Sequence, residues 1–185
     1  SSRMNRDVQR IIDSEEYAGV FPETSFSSNT SASINSQKNI RTSDIFELAG
    51  HAGAYRSAGV GGGITGMGAD IAIIDDPVKD AKEANSQTYR DSVWDWYTST
   101  FYTRLSPKSG ILLGMTRWHE DDLAGRLLAD MKNGGDQWRV VSFPAIAEED
   151  EQYRKEGDAL HPERYDLTHL TKMKKAVGSQ AWNAL

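Results

Sequence analysis

Ala69-Asp70-Ile71-Ala72-Ile73-Ile74-Asp75-Asp76-Pro77 is the stretch on which the reading of this 185-residue chain turns. Ile71 to Ile74 is a continuous apolar run, the pattern of a strand buried on both faces of a parallel sheet. Pro77 forces the chain out of that strand. Two acids emerge where the strand leaves the sheet, and in open α/β sheets ligands gather at this carboxyl edge. Asp75 there suits Mg²⁺, a hard cation that keeps part of its water shell. Asp76 beside it can orient and polarise a water that attacks a phosphoryl group. The same residues also read, more simply, as a strand running into a turn.

Downstream, Gly110-Ile111-Leu112-Leu113-Gly114-Met115-Thr116 is a second all-apolar strand, so Thr116 and Arg117 fall at the same edge as the two acids. The Thr116 hydroxyl could sense a terminal phosphate, and Arg117 could counter its charge. The plainer alternative is that Asp121 and Asp122 cap a helix and Arg117 pairs with one of them. Between these strands the spacing of Val93, Tyr97, Phe101 and Leu105, with Trp94 beside them, predicts one helix over about 84–105. A helix from Asp121 or Asp122 runs through Leu123, Leu127, Leu128 and Met131 and stops at Asn133-Gly134-Gly135. Trp138-Arg139-Val140-Val141-Ser142-Phe143 reads as a third strand, residues 148–161 as a charged excursion, and about 166–177 as a last helix followed by Gly178 and a further turn. Strands alternating with helices of this length specify an α/β domain around a mostly parallel sheet.

Upstream, Gly61-Gly62-Gly63-Ile64-Thr65-Gly66 matches G-x-G-x-x-G, but it opens into a strand where a dinucleotide fingerprint opens a helix. Gly61 and Gly66 have the separation of a phosphate-binding Walker A loop, yet Met67-Gly68 stand where Lys and Ser or Thr are required. A bend needing positive φ is the favoured reading, and a loop reaching a neighbouring subunit is the alternative. Residues 24–43, rich in Ser, Asn and Thr, read as a long surface loop. Residues 46–49 and 54–60 suggest two strands around His51-Ala52-Gly53. Met4, Val8, Ile11 and Ile12 share one face of an opening helix, and a chain that begins inside a helix reads as a piece of something longer.

Composition narrows the classes. The length suits one domain, roughly 100–200 residues. Lys and Arg number 21 against 27 Asp and Glu, a formal net charge of −6, which argues against a free-standing, charge-driven nucleic-acid binder. A 38% apolar share with five Trp, seven Tyr and five Phe is too rich for a disordered chain. No run approaches the ~18 apolar residues of a membrane span. The absence of cysteine excludes disulfides, thiol nucleophiles and Cys-ligated metals. His119-Glu120 has no second His four residues on, so it is not a zinc motif, and Gly-x-Ser-x-Gly does not occur. The aromatic cluster of Trp94, Trp96, Tyr97, Phe101 and Tyr102 reads as core with one exposed flank. Lys172, Lys174 and Lys175 read as a solvated helix face, with DNA contact the alternative.

With these residues in hand, the chain resembles the large terminase subunit of tailed bacteriophages, the ATP-driven motor that packages DNA into a procapsid. The resemblance covers nearly the whole chain. It rests on Met4-Asn5-Arg6-Asp7-Val8-Gln9-Arg10-Ile11-Ile12, on Gly61 through Asp80, on Gly110 through Leu128, and on Gly178-Ser179-Gln180-Ala181-Trp182-Asn183-Ala184-Leu185. It implies a P-loop NTPase fold of the ASCE type, a mostly parallel sheet flanked by helices. Residues 1–185 would be a partial ATPase domain, with the Walker A part upstream and a nuclease domain downstream. Ile71 to Asp76 becomes the Walker B strand, Asp75 the Mg²⁺-associated acid and Asp76 the water-activating carboxylate. Gly114-Met115-Thr116 becomes the coupling motif, with Thr116 and Asp76 at Mg-ATP and Arg117 as a catalytic cation. Implied partners are double-stranded viral DNA, the portal protein, the small terminase subunit and further copies in a ring. The implied location is the host bacterial cytoplasm, transiently at the procapsid portal, with no membrane.

Three departures stand out. The Walker A lysine is absent, so this piece alone should not turn over ATP. Relatives usually carry Glu where Asp76 stands, one methylene longer. Relatives also often place an Arg before the Walker B strand, where Ile64-Thr65-Gly66-Met67 has none, leaving Arg56, Arg117 or a residue outside this chain. Two rival readings remain: a metal-dependent nuclease built from Asp75, Asp76 and Asp121 or Asp122, and a non-catalytic docking module.

Overall fold

The computed structural model describes residues 2–26, 39–64, 66 and 68–183. The chain divides into two compact units, Ser1–Ile64 and Thr65–Leu185.

The first unit carries helices α1 (Ser2–Ile12) and α2 (Glu15–Val20) and a small antiparallel pair, β1 (Ile45–Phe46) with β2 (Tyr55–Arg56). The two strands lie where the sequence suggests but are shorter. α1 buries its amide face: Asn5 is 0% exposed while Met4 is 52% exposed. The Gln9 amide nitrogen donates to Asn5 Oδ1 at 2.9 Å and to the Thr42 carbonyl at 2.6 Å. Asn5 Nδ2 reaches Ser57 Oγ at 3.3 Å, and Arg41 Nε donates to Gln9 Oε1 at 3.0 Å. The apolar column of Met4, Val8 and Ile11 therefore shares a face as expected, but it is not the inward one. Buried amides are tolerable here because each finds a partner. Of the expected loop over 24–43, residues 27–38 lie outside the described residues.

The second unit is organised by two parallel strands, β3 (Ala69–Asp75) and β4 (Leu105–Gly114). Their register runs Ile71↔Gly110, Ala72↔Ile111, Ile73↔Leu112, Ile74↔Leu113 and Asp75↔Gly114. Upstream of Gly110 the register shifts, and Lys108 there takes φ 70°. Parallel partners need a crossover, and here it is helical: α3 (Ala81–Asn85), α4 (Gln87–Trp96), a π-helical turn (Tyr97–Phe101) and a 3₁₀ turn (Tyr102–Arg104). The single helix expected over 84–105 is thus broken. Ser86, with ψ 111°, ends α3 and caps α4 by accepting from Tyr89 N–H. Farther on, the Thr98 and Thr103 hydroxyls donate to the carbonyls of Trp94 and Ser99, competing with the helical ladder where it widens. The aromatic column survives, since Val93, Tyr97 and Phe101 are all buried.

Two further expectations are corrected. β3 is not buried on both faces. Ala72 and Ile74 point inward with Val78, Ala84, Leu123 and Leu127, whereas Ile71 is 77% and Ile73 60% exposed. The period of two sends alternate residues to opposite faces, and among the described residues the outer face is uncovered. Residues 138–143 form no hydrogen-bonded ladder, and Phe143 is 70% exposed. An apolar run predicts a strand only where a partner edge meets it. What stands is a mixed α/β unit with a small parallel sheet, consistent with an α/β domain.

Helix α5 (Leu123–Lys132) follows the site loop, capped by Asp122. The charged excursion closes through an Ile146↔Ala159 bridge, with Glu151–Arg154 and Asp150–Lys155 ion pairs inside it. α6 (Leu167–Trp182), capped by Asp166, kinks at Gly178 with φ 77°, where the sequence placed the break.

Gly125 fixes how closely the site loop folds over α5. A Cβ there would stand 1.8 Å from the Glu120 carbonyl oxygen, a backbone atom that cannot yield. Gly125→Ala is expected to destabilise the fold by at least about 2 kcal/mol. Gly110→Ala, at a position open to space, should stay within about 0.5 kcal/mol. Thermal melts of the two variants separate these outcomes.

Candidate functional site

The parallel register carries the ends of β3 and β4 to one edge together. Asp75 stands opposite Gly114, and a Cβ on that glycine would lie 3.8 Å from Asp75 Oδ1, an ordinary contact. Asp76 then leaves the strand in the left-handed region at φ 41°. This conformation costs a non-glycine residue about 1 kcal/mol, and Asp is among the few that tolerate it. Asp76 is held there from both ends. Its N–H donates to the Gly114 carbonyl at 2.9 Å. Its Oδ1 accepts from the Thr116 N–H at 3.2 Å and from the Thr116 hydroxyl at 3.4 Å. Asp75, Asp76 and Thr116 thus meet at the carboxyl edge of the sheet.

The two carboxylates differ in their engagement. Asp76 is committed to Thr116 through one oxygen. Asp75 is exposed, and among the described residues its carboxylate makes no hydrogen bond or ion pair. An unpaired oxygen donor beside a second carboxylate fits a Mg²⁺ ion, which takes one or two protein carboxylates and keeps its waters. Among the described residues no group of three or more His, Asp or Glu could hold a metal.

Arg117 lies beside Thr116 in sequence, but its guanidinium turns toward α5. Its Nε donates to Asp122 Oδ2 at 2.7 Å, and its Nη2 reaches the Glu120 carbonyl at 3.4 Å. The Asp122 side chain is 1% exposed and accepts the Gly125 N–H at 2.8 Å through its other oxygen. The helix-capping and ion-pairing alternative is therefore what the structure displays for these two residues.

Asp121 is occupied as well. Arg126 approaches it as a fork, Nε to Oδ1 and Nη2 to Oδ2, both at 2.8 Å. Arg90 Nε adds a bond at 3.1 Å. The Arg126 hydrogen bonds, then those of Arg90, hold the Asp121 carboxyl down at about 2, and the same contacts raise Arg126. Asp121 and Asp122 are taken by three arginines, and among the described residues they form no metal-holding group with Asp75 and Asp76. His119 accepts the Asp121 N–H on Nδ1 at 2.9 Å.

Arg90, Asp91 and Arg126 escaped the sequence reading. Their only trace is charge inserted into helices whose neighbours are core residues. The glycine-rich stretch behaves as a bend where it is described: Gly61 has φ 77° and Gly66 φ 85°, while Thr65 and Met67 lie outside the described residues. Arg56, offered as a trans-acting cation, donates to the Gly63 carbonyl at 2.7 Å.

The Asp121 pairing carries a sign. A carboxyl held below its ordinary value of 3.8 adds stability that is complete above that pH and is lost as pH falls toward about 2. Asp121→Asn should therefore melt below the wild type at neutral pH, with the gap closing between pH 4 and pH 2. A gap independent of pH would show that the ion pairs are not its source.

Among the described residues no helix is long and apolar enough to cross a membrane. No curated protein matches the chain. A family model does, described as terminase large subunit, T4likevirus-type, N-terminal, and it spans residues 2–184. With all but the terminal positions inside that match, the chain belongs to the N-terminal family of T4-like terminase large subunits.

Proposed function

We propose that these residues form the ATP-hydrolysing edge of a phage DNA-packaging motor. The observation that carries the reading is the pair of contacts from Thr116 to Asp76 Oδ1 at the carboxyl end of two parallel strands. Family membership supports involvement in phage DNA packaging.

In this reading Asp75, with its free carboxylate, associates with the Mg²⁺ of Mg-ATP; the ion would neutralise charge on the phosphates. Asp76 orients the attacking water. With Oδ1 engaged by Thr116, its Oδ2 is the oxygen left to accept a water proton. Thr116 couples the site to movement, because its hydroxyl carries one proton and has two possible acceptors. It can donate to Asp76 Oδ1 or to a phosphate oxygen, so gain and loss of the phosphate switches what Asp76 is bonded to. Arg117 supplies positive charge near the edge, though its Nε is already committed to Asp122.

The reading requires a phosphate cradle with a lysine, which Gly61 to Gly68 does not supply. That cradle would come from another part of the large subunit, and the 185 residues alone would be inactive. Double-stranded viral DNA, the portal protein, the small terminase subunit and sister copies in a ring are the partners that such a motor would engage, at the portal of a procapsid in the host cytoplasm.

Mg²⁺-dependent ATP hydrolysis tests this in three proteins: the 185-residue chain, the full-length large subunit and the full-length Asp76→Asn variant. Turnover is expected only in the unmodified full-length protein, with a loss on the order of 100-fold or more on substitution. Undiminished turnover in Asp76→Asn would remove the Walker B assignment.

A further inference from the structure

We infer that Asp121 is a positioning residue for the candidate site: gripped by Arg90 and Arg126, it fixes the segment between Thr116 and Asp122 against α4 and α5, and so sets where Thr116 stands relative to Asp76. The fixing stands on geometry alone. Its consequence for turnover rests on the ATPase reading.

Residues 115–119 have no regular secondary structure, so their placement depends on side chains at the far end of the loop. Two carboxylates stand there and do different things. Asp122 caps α5 and is paired from within the loop by Arg117. The helix therefore already has its cap, and Asp121 is not needed to start it.

The Asp121 carboxylate faces away from the loop to two other elements. Arg126 on α5 grips both of its oxygens and, through the same Nη2, donates to Asp91 Oδ1 on α4 at 2.7 Å. Arg90 on α4 reaches it while donating through Nη1 to the Ala84 carbonyl of α3 at 2.7 Å. One carboxylate thus ties a loop to three helices. The arginine side chains are 10% and 18% exposed while the Asp121 and Asp91 side chains are 44% and 49% exposed, so these pairs are half-buried and solvent screens them somewhat less than open surface pairs. A bidentate guanidinium also fixes direction as well as distance.

The Thr116 contacts with Asp76 are long, at 3.2 and 3.4 Å. Hydrogen bonds at that length are near the limit of useful geometry, so a small release of the loop removes them. Among the described residues, Met115 to Glu120 make no side-chain hydrogen bond or ion pair to α4. Asp121 is the member of the loop that meets that helix.

The test uses the full-length large subunit with Asp121→Asn, Arg126→Lys and Asp76→Asn. Two readouts are taken: amide hydrogen exchange across residues 115–122 and across α5, and kcat and KM for ATP. Asp121→Asn should speed exchange in 115–122 by roughly tenfold while α5 amides keep their protection. It should also lower kcat about tenfold with KM within about twofold, since the geometry of reaction is lost and substrate binding is not. Arg126→Lys keeps the charge but replaces the fork by a single point; it should show the same pattern more weakly, and it decides the matter if Asp121→Asn does not fold.

Unchanged exchange in 115–122 overturns the proposal. So does an equal loss of protection in the loop and α5, which would make Asp121 a general support of the helix. The Asp76→Asn control separates the two readings. If it leaves turnover intact, the ATPase assignment falls while the exchange data still judge the clamp. If it abolishes turnover and Asp121→Asn leaves kcat unchanged, the clamp has no catalytic consequence and the inference fails on its own.

Discussion

The parallel ladder between β3 and β4 is the constraint on which the site depends. Asp75 opposite Gly114 is the last rung, and it brings Asp76 and Thr116 to the same edge although 40 residues separate them. A parallel register cannot be set by a tight turn, so it must be set by packing of the crossover and by the inward pair Ala72 and Ile74. A slip of one residue would turn those two outward, and would carry Asp76 past the Thr116 amide. The apolar alternation of the strand and the meeting of polar groups at its end are therefore one specification. The same sheet leaves Ile71, Ile73 and Leu112 on an exposed face, an apolar surface of the sort that proteins ordinarily cover.

Beyond the ladder, the order of the site edge is electrostatic. Three aspartates and three arginines interlock around the start of α5: Asp122 with Arg117, Asp121 with Arg126 and Arg90, and Asp91 with Arg126. Each buried or half-buried charge of this set has an opposite partner, whereas the exposed Asp76 turns to neutral donors on Thr116. Where the member left behind is buried, as Asp122 is, removing its partner leaves an uncompensated charge, which is more damaging than the pair is stabilising. The loop is thus positioned at the expense of tolerance to substitution.

How much of this could be read beforehand follows from which signals are local. The acids at the end of an apolar run, the Asp122 cap, the Asn133-Gly134-Gly135 stop and the Gly178 break are all written within a few residues, and each lies where the chain predicts. The column of Val93, Tyr97 and Phe101 was legible as well, although the helix carrying it was not continuous, because Ser86 caps as readily as it propagates. What was hidden depends on partners. Hydropathy gave α1 an apolar face but could not reveal that Asn5 and Gln9, satisfied by Thr42, Ser57 and Arg41, would be the buried ones. Val140, Val141 and Phe143 have the composition of a strand and join no ladder among the described residues. The grip of Arg126 on Asp121 and Asp91 was invisible because charge spacing along a helix does not say what lies across from it.

The left-handed backbone of Asp76 has an implication for how this position can drift in sequence. A short acid tolerates φ 41° because its carboxylate bonds nearby backbone, here the Thr116 amide. Glutamate there would be one methylene too long for that local bond and would bear the full backbone penalty. Exchange between the two acids is then not a single conservative step: the longer side chain demands that the turn into Pro77 relax first. Reach and backbone conformation at this residue are therefore bound to change together.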